Sequence, residues 1–138
     1  MVKVTKFLGE FSIAHRLMRH EGKCRFLHGH NYRVELTAYG NIGDNGFVVD
    51  FAELKKLKHV VERWDHKVVL KIDDPLAGVL IEGGFREHVF IIHQDPTVEV
   101  LALHWFAEMK ECFEHESARL DSLRVWETNT SYAEARNS

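Results

Sequence analysis

The chain has 138 residues, of which 45% are hydrophobic, so it is long enough for one domain with one core. Its formal net charge is −3 and it has no basic tract, which excludes a nonspecific nucleic-acid binder. The segment MVKVTKFLGEF has no continuous apolar core, so we do not expect it to be a signal peptide. No apolar run approaches the roughly 20 residues that cross a bilayer, and the cysteines are Cys24 and Cys112. We therefore expect a cytoplasmic protein without disulfides, in a single domain covering residues 1–138.

Two strands are predicted in the first third of the chain. Residues 5–15 form the first strand, which ends at His15, and residues 30–40 form the second. The second strand alternates in polarity, which is typical of a half-buried antiparallel strand. Its apolar face consists of Tyr32, Val34, Leu36 and Ala38. A basic loop over 16–27 joins the two strands and carries Cys24, and GDNG at 43–46 predicts a turn.

Two helices are predicted in the middle of the chain. The first runs from Asp50, a suitable N-cap, to Trp64, with apolar residues at helical spacing. The second begins at DPTVEV, with Asp95 as the cap and Pro96 at the first helical position. Between them, within the segment 68–93, VLIEGGFREHVFII (79–92) predicts a hairpin around Gly83-Gly84.

The last segment, SLRVWETNTSYAEA, predicts two short strands with a break near Asn129-Thr130. The order of elements is then two strands, two helices and two strands. This order predicts an α+β fold in which both helices cover one face of an antiparallel sheet.

The segment CRFLHGHNY at 24–32 carries the strongest chemical signal. His28 and His30 are two residues apart, so in a strand they share one face, and their parity is that of the apolar residue Tyr32. With His15 at the end of the other strand, they offer the three neutral imidazoles of a catalytic zinc site with an open fourth position. The alternative is that hydrogen bonds alone satisfy these side chains.

Three further positions have both a chemical and a structural interpretation. Cys24 lies between two basic residues, which favour the reactive thiolate, but free cysteines are often inert packing residues. Asp65 and His66 form a candidate acid–base dyad, although this dipeptide usually has no function. Glu127 falls on an apolar strand face, where it either reaches water or accepts paired hydrogen bonds from a ligand such as a pterin.

Six segments in the same order resemble the 6-pyruvoyl-tetrahydropterin synthase superfamily, and within it the 6-carboxy-tetrahydropterin synthases of the queuosine pathway. The segments are FSIAHRL (11–17), CRFLHGHNY (24–32), GFVVDFAELK (46–55), WDHKVVL (64–70), PTVEVLA (96–102) and VWET (125–128). The resemblance implies the tunnelling fold (T-fold), ββααββ. Its subunits form a ring-shaped barrel, a trimer or a hexamer, with active sites between subunits.

The resemblance also assigns roles to residues. It implies zinc on His15, His28 and His30, a catalytic Cys24, and a catalytic dyad of Asp65 and His66. Glu127 matches the residue that anchors the pterin ring, and Thr97 and Thr128 match segments of the pterin pocket. The three residues between Cys24 and His28 favour the 6-carboxy type over the pyruvoyl type.

The implied reaction converts 7,8-dihydroneopterin triphosphate into 6-carboxytetrahydropterin, acetaldehyde and triphosphate. Basic side chains are expected around the triphosphate, and four candidates are Arg16, Lys23, Arg25 and Lys67. Two sister reactions remain as alternatives, namely triphosphate elimination without side-chain cleavage and sepiapterin side-chain cleavage. A zinc-stabilised oligomer without catalytic activity is the alternative from another class.

Overall fold

A six-stranded sheet forms the framework of the protein, and the computed structural model describes residues 1–138. The strands are β1 (Val2–His15), β2 (His28–Gly40), β3 (Lys67–Lys71), β4 (Val89–Ile92), β5 (Arg119–Trp126) and β6 (Tyr132–Arg136). Their order across the sheet is β4-β3-β1-β2-β5-β6. The four predicted strands β1, β2, β5 and β6 pair antiparallel, which confirms the predicted class, and β3 and β4 add two parallel strands beside β1.

The helical segments are shorter than the sequence pattern predicts. They are α1 (Phe51–Lys55), α2 (His59–Glu62), α3 (Pro75–Glu82) and α4 (Val98–Cys112). The helix predicted from Asp50 onward is present as α1 and α2 with a 3₁₀ turn between them, and Asp50 caps it by accepting a hydrogen bond from the amide of Ala52. No helix is both long and apolar enough to span a membrane.

One hydrophobic core joins the sheet to its helices. The predicted apolar face of β2 has no exposed surface at Tyr32, Val34, Leu36 or Ala38. Trp105 and Met109 of α4 belong to the same core, and the rings of Tyr32 and Trp105 meet edge to face at 6.4 Å between centroids. Because α4 packs on this face of β2, the histidines of the same face lie beside the beginning of α4.

The hairpin predicted around Gly83-Gly84, within the segment 68–93, is wrong. The segment forms β3, α3 and β4, with β3 and β4 parallel, and parallel neighbours need a crossover such as this helix. Asp74 caps α3 and Pro75 occupies its first turn, while Gly84 has a φ of 92° just after its end. The glycine pair therefore ends a helix instead of forming a hairpin turn. Asp74 and Pro75 are typical of a helix start, and this local preference decides the structure of the segment.

The predicted start of α4 is displaced by two residues. Thr97 is the N-cap, and its hydroxyl accepts a hydrogen bond from the amide of Val100 at 3.2 Å. Pro96 therefore lies before the helix rather than in its first turn. This shift leaves the carbonyl of Pro96 outside the helix, where it accepts a hydrogen bond from His15.

A β-bulge in β1 determines which face its last residues occupy. The pairing with β2 changes register between Phe7 and Gly9, where β1 contains one extra residue. Before the bulge the inward side chains are even-numbered, as at Val4, and after it they are odd-numbered, as at Ile13 and His15. Without the extra residue His15 would point to the opposite face, because side chains alternate along a strand.

We predict that Gly9→Ala destabilises the protein by about 1–3 kcal/mol, since Gly9 has a φ of 131° that other residues adopt only with strain. Urea unfolding measures the change. Gly78→Ala is the matched control, because Gly78 lies inside α3 with no atom within 4 Å of an added Cβ. The free energy of unfolding of this control should increase by about 0.5–1 kcal/mol. Equal stability of the two variants would contradict the role given to the bulge.

Candidate metal centre and active site

The pairing of β1 with β2 brings three histidines together. His15 lies directly opposite His28, and Ile13 lies opposite His30, so all three imidazoles project from neighbouring positions of one face. Ring centroids are 4.6 Å apart for His15 and His28 and 4.9 Å for His28 and His30. The predicted cluster is therefore formed by two strands that are separated by the 16–27 loop in sequence.

The environment of His15 holds this side chain in its neutral form. His15 is 2% exposed, and its Nδ1 lies 2.6 Å from the carbonyl oxygen of Pro96, which can only accept a hydrogen bond. Burial lowers the pKa of His15 to about 4, against the opposing effect of this hydrogen bond. With its proton on Nδ1, neutral His15 presents a lone pair at Nε2.

His28 has the same arrangement as His15. Its Nδ1 lies 2.7 Å from the carbonyl oxygen of Phe26, so in the neutral ring this nitrogen carries the proton and Nε2 carries a lone pair. The Nε2 atoms of His15 and His28 are 3.0 Å apart. When both rings are neutral, neither atom has a proton to donate to the other, and a cation between them satisfies both.

The three histidines fit the geometry of a bound metal ion. One ligand atom from each of His15, His28 and His30 lies within 4.8 Å of the others. Imidazole nitrogens on a tetrahedral metal, at about 2.0–2.1 Å from it, are about 3.3–3.4 Å apart. The carbonyl groups of Pro96 and Phe26 also orient the rings of His15 and His28 by accepting hydrogen bonds from Nδ1, as the hydrogen-bond partners of metal-binding histidines usually do.

Glu127 completes the ring of groups around the histidines. Its Oε1 lies 3.3 Å from Nε2 of His30 and 3.6 Å from Nε2 of His15. The phenol of Tyr32 is fully buried beside it, with its oxygen 3.4 Å from Nδ1 of His15. Burial raises the pKa of Tyr32 above its ordinary value, and the charge of Glu127 and a hydrogen bond to it act in the same direction.

Asp65 and His66 form the predicted pair. Asp65 Oδ1 accepts a hydrogen bond from the amide of Ser12 at 2.7 Å and lies 3.1 Å from His66 Nδ1. His66 has a φ of 65°, its amide donates to the carbonyl of Ser12, and its side chain is 79% exposed. A cavity of about 300 Å³ beside His66 is lined by Ser12, Asn31 and His30, but by neither His15 nor His28. Ser12 and Asn31 belong to the polar face of the β1–β2 pair, so the dyad lies towards that face rather than against the imidazoles.

Cys24 lies in a 3₁₀ turn, Lys23–Arg25, within the loop that joins β1 to β2. It is a free, partly buried thiol, and its carbonyl accepts a hydrogen bond from the amide of Leu17. Cys112, by contrast, is exposed at the end of α4 and is not the core residue that its apolar neighbours suggest.

The two predicted threonines have local structural roles. The hydroxyl of Thr97 caps α4, as described above. Thr128 is exposed in the turn between β5 and β6, where its hydroxyl accepts a hydrogen bond from the amide of Thr130. Neither contact involves the histidine cluster, so their part in ligand binding stays a prediction.

The basic candidates differ in how firmly they are held. Arg16 is bound through two nitrogens to Asp74, a carboxylate that is 3% exposed, which also lowers the pKa of Asp74. Lys67 donates to the carbonyl of Glu87 and lines the cavity of His66. Arg25 is 4.4 Å from the centroid of the Phe26 ring. Arg16 is therefore the least available of the four for an anionic ligand.

Two features of the site were not predicted from the sequence. Tyr32 was expected only in the core, although it lies two residues after His30 on the same face and contacts His15. The bulge at Gly9 was also missed. A lone glycine inside a strand pattern is the usual signal of a bulge, so this one was detectable.

The comparisons with known proteins agree with this fold. The sequence profile of the 6-pyruvoyl tetrahydropterin synthase family matches residues 3–138. A protein from Rickettsia conorii named 6-carboxy-5,6,7,8-tetrahydropterin synthase is 34% identical over 138 residues, covering 97% of this chain and 99% of the relative. A protein of the same name from Haemophilus influenzae is 30% identical over 144 residues, covering 97% and 98%.

Solved structures show the same fold. An uncharacterised protein from Wolinella succinogenes superposes with a TM-score of 0.87 at 22% identity, covering 99% of this chain and 98% of that one. The 6-pyruvoyl tetrahydropterin synthase of Plasmodium vivax superposes with a TM-score of 0.78 at 20% identity, with the same coverage. The protein therefore has the tunnelling fold, with three histidines placed to hold a metal ion. The chain belongs to the 6-pyruvoyl tetrahydropterin synthase family.

We predict that the metal-free protein loses stability as the pH falls from 6.5 to about 4. The lowered pKa of His15 means that the unfolded chain takes up a proton in this range while the folded protein does not. Urea unfolding of the chelator-treated protein at several pH values measures the slope of the free energy of unfolding against pH. In His15→Gln the slope should fall by up to about 1.4 kcal/mol per pH unit. An identical slope in both proteins would contradict the neutral, buried state of His15.

Proposed function

We propose that the protein is a zinc-dependent 6-carboxy-5,6,7,8-tetrahydropterin synthase, a carbon–carbon lyase. The reaction takes 7,8-dihydroneopterin triphosphate and one water, and yields 6-carboxytetrahydropterin, acetaldehyde and triphosphate. The observation that carries the proposal is the convergence of His15, His28 and His30 on one point, in a chain whose relatives bear this name along their whole length. The product would serve the synthesis of queuosine and other 7-deazaguanines.

The three histidines would hold the zinc ion through their Nε2 atoms. Bound there, zinc supplies Lewis acidity that makes the hydroxyls and adjacent carbons of the substrate side chain more acidic. Pro96 and Phe26 orient the imidazoles of His15 and His28, because their carbonyls fix the proton on Nδ1. This preorganisation is what the chain itself contributes to the metal site.

Cys24 and His66 would transfer protons during the reaction. They come from separate elements, the loop before β2 and the turn before β3, so they can approach the substrate side chain from different directions. Asp65 holds the His66 imidazole and stabilises its charged form, in the way that a carboxylate orients a general base. The family resemblance implies sites between subunits, so the exposed His66 would act on a substrate held at the histidines of an adjacent subunit.

The pterin ring would bind at Glu127. This carboxylate lines a cavity of about 570 Å³ between α4 and β6, whose other walls include Val98, Ala102 and Tyr132. Apolar walls suit a flat ring, and a carboxylate accepts the paired N–H donors at the amidine edge of a pterin. Thr97 and Thr128 adjoin this cavity in sequence, and we assign them to its binding residues.

The triphosphate would bind near the loop before β2 and the start of β3. Lys23, Arg25 and Lys67 are the candidates there, since Arg16 is already bound to Asp74.

The cavity next to β6 opens at one edge of the sheet, and β4 forms the other edge. We propose that copies of the chain join through these edges as a trimer or hexamer, which would pair the free edges and complete sites between subunits.

We predict that the zinc-loaded protein, incubated with 7,8-dihydroneopterin triphosphate, releases acetaldehyde and triphosphate in equal amounts. Mass spectrometry of the pterin product and an aldehyde assay measure the outcome. Triphosphate release with a three-carbon side chain left on the ring would show the pyruvoyl-type reaction instead. No turnover on this substrate, in a protein that binds zinc, would favour the non-catalytic oligomer.

The two cysteines provide a matched pair of variants for the same assay. Cys24→Ala should lose at least about 100-fold in turnover, because general acid–base groups contribute about 10²–10⁴-fold. Cys112→Ala should keep the wild-type rate, since that thiol is exposed at the end of α4. Full turnover by a folded, zinc-loaded Cys24→Ala protein would remove Cys24 from the mechanism.

A further inference from the structure

The carboxylate of Glu127 lies at ligand distance from the centre of the histidine cluster. For a tetrahedral metal with bonds of about 2.0–2.2 Å, neighbouring ligand atoms are about 3.3–3.5 Å apart. Oε1 of Glu127 is 3.3 Å from Nε2 of His30 and 3.6 Å from Nε2 of His15. These separations match those of a fourth ligand, in addition to the three imidazoles.

The charges around this point also favour a cation. His15 and His28 present lone pairs, and the Glu127 carboxylate adds a negative charge only 26% exposed to water. His66 is paired with Asp65, and Arg16 with Asp74, so neither of these basic side chains neutralises Glu127. A divalent ion at the centre would balance the carboxylate and satisfy the lone pairs together.

We propose that, in the substrate-free protein, Glu127 is the fourth ligand of the metal ion held by His15, His28 and His30. The inference rests on the proposed function of the cluster as a metal site. It gives Glu127 a role before the ring binds, in addition to the role of ring anchor. The resting site is then closed with four protein ligands, and it lacks the open position that a catalytic site needs.

The position of Glu127 explains how the site opens. The same side chain faces the metal cluster and lines the cavity between α4 and β6. A pterin edge that enters the cavity offers N–H donors to the carboxylate and draws it away from the metal. The coordination position becomes free only when the ring is bound, and the side-chain oxygens of the same substrate can then occupy it.

Cobalt(II) substitution tests this inference without measuring turnover. The visible absorption of cobalt reports the number and type of its ligands, and a chromophoric chelator in competition reports metal affinity. Glu127→Gln should change the spectrum and weaken cobalt binding by at least about 10-fold. Glu99→Gln is the matched control, because Glu99 lines the same cavity and loses the same charge but is exposed on α4. It should leave both measurements at wild-type values.

Unsubstituted pterin provides the second arm, since it has the amidine edge but no side chain to bind the metal. It should change the cobalt spectrum of the wild type and leave that of Glu127→Gln unaltered. A Glu127→Gln spectrum identical to the wild type, or a wild-type spectrum that pterin binding does not change, would overturn the inference. Failure of the wild type to bind cobalt at all would instead overturn the proposed metal site.

Discussion

The antiparallel register between β1 and β2 is the constraint on which the site depends. It places His15 opposite His28 at the end of the pair, and the bulge at Gly9 sets this register. A shift of one residue would send His15 to the polar face of the sheet and leave the other imidazoles without it. The histidine cluster is therefore a consequence of strand pairing, and the loop over 16–27 only has to return the chain between the two strands.

Packing and chemistry share the same face of β2. From Val34 onward this face is apolar core, while His28 and His30 continue it at the open end of the strand, with Tyr32 at the boundary between the two regions. Beside Tyr32, the carbonyl of Pro96 at the start of α4 fixes the ring of His15. Since α4 is held by the core through Trp105 and Met109, core packing also fixes the orientation of a proposed metal ligand.

Much of this arrangement could be predicted from the sequence, because it depends on local periodicity. The alternation in β2 put His28 and His30 on the face of Tyr32, and the Asp65-His66 pair needed no long-range information. The β3–α3–β4 unit was misread because short apolar runs suit both a hairpin and a parallel crossover. The contacts of His15 with Pro96 and Glu127 depend on tertiary packing, which no spacing along the chain reveals.

Zinc K-edge X-ray absorption of the zinc-loaded, substrate-free protein tests the central claim, that one metal ion is bound where His15, His28 and His30 converge. The account predicts three imidazole nitrogens at about 2.0–2.1 Å and one oxygen at about 2.0–2.2 Å, with no sulfur. A zinc–sulfur distance near about 2.3 Å, or fewer than three imidazoles, would contradict it.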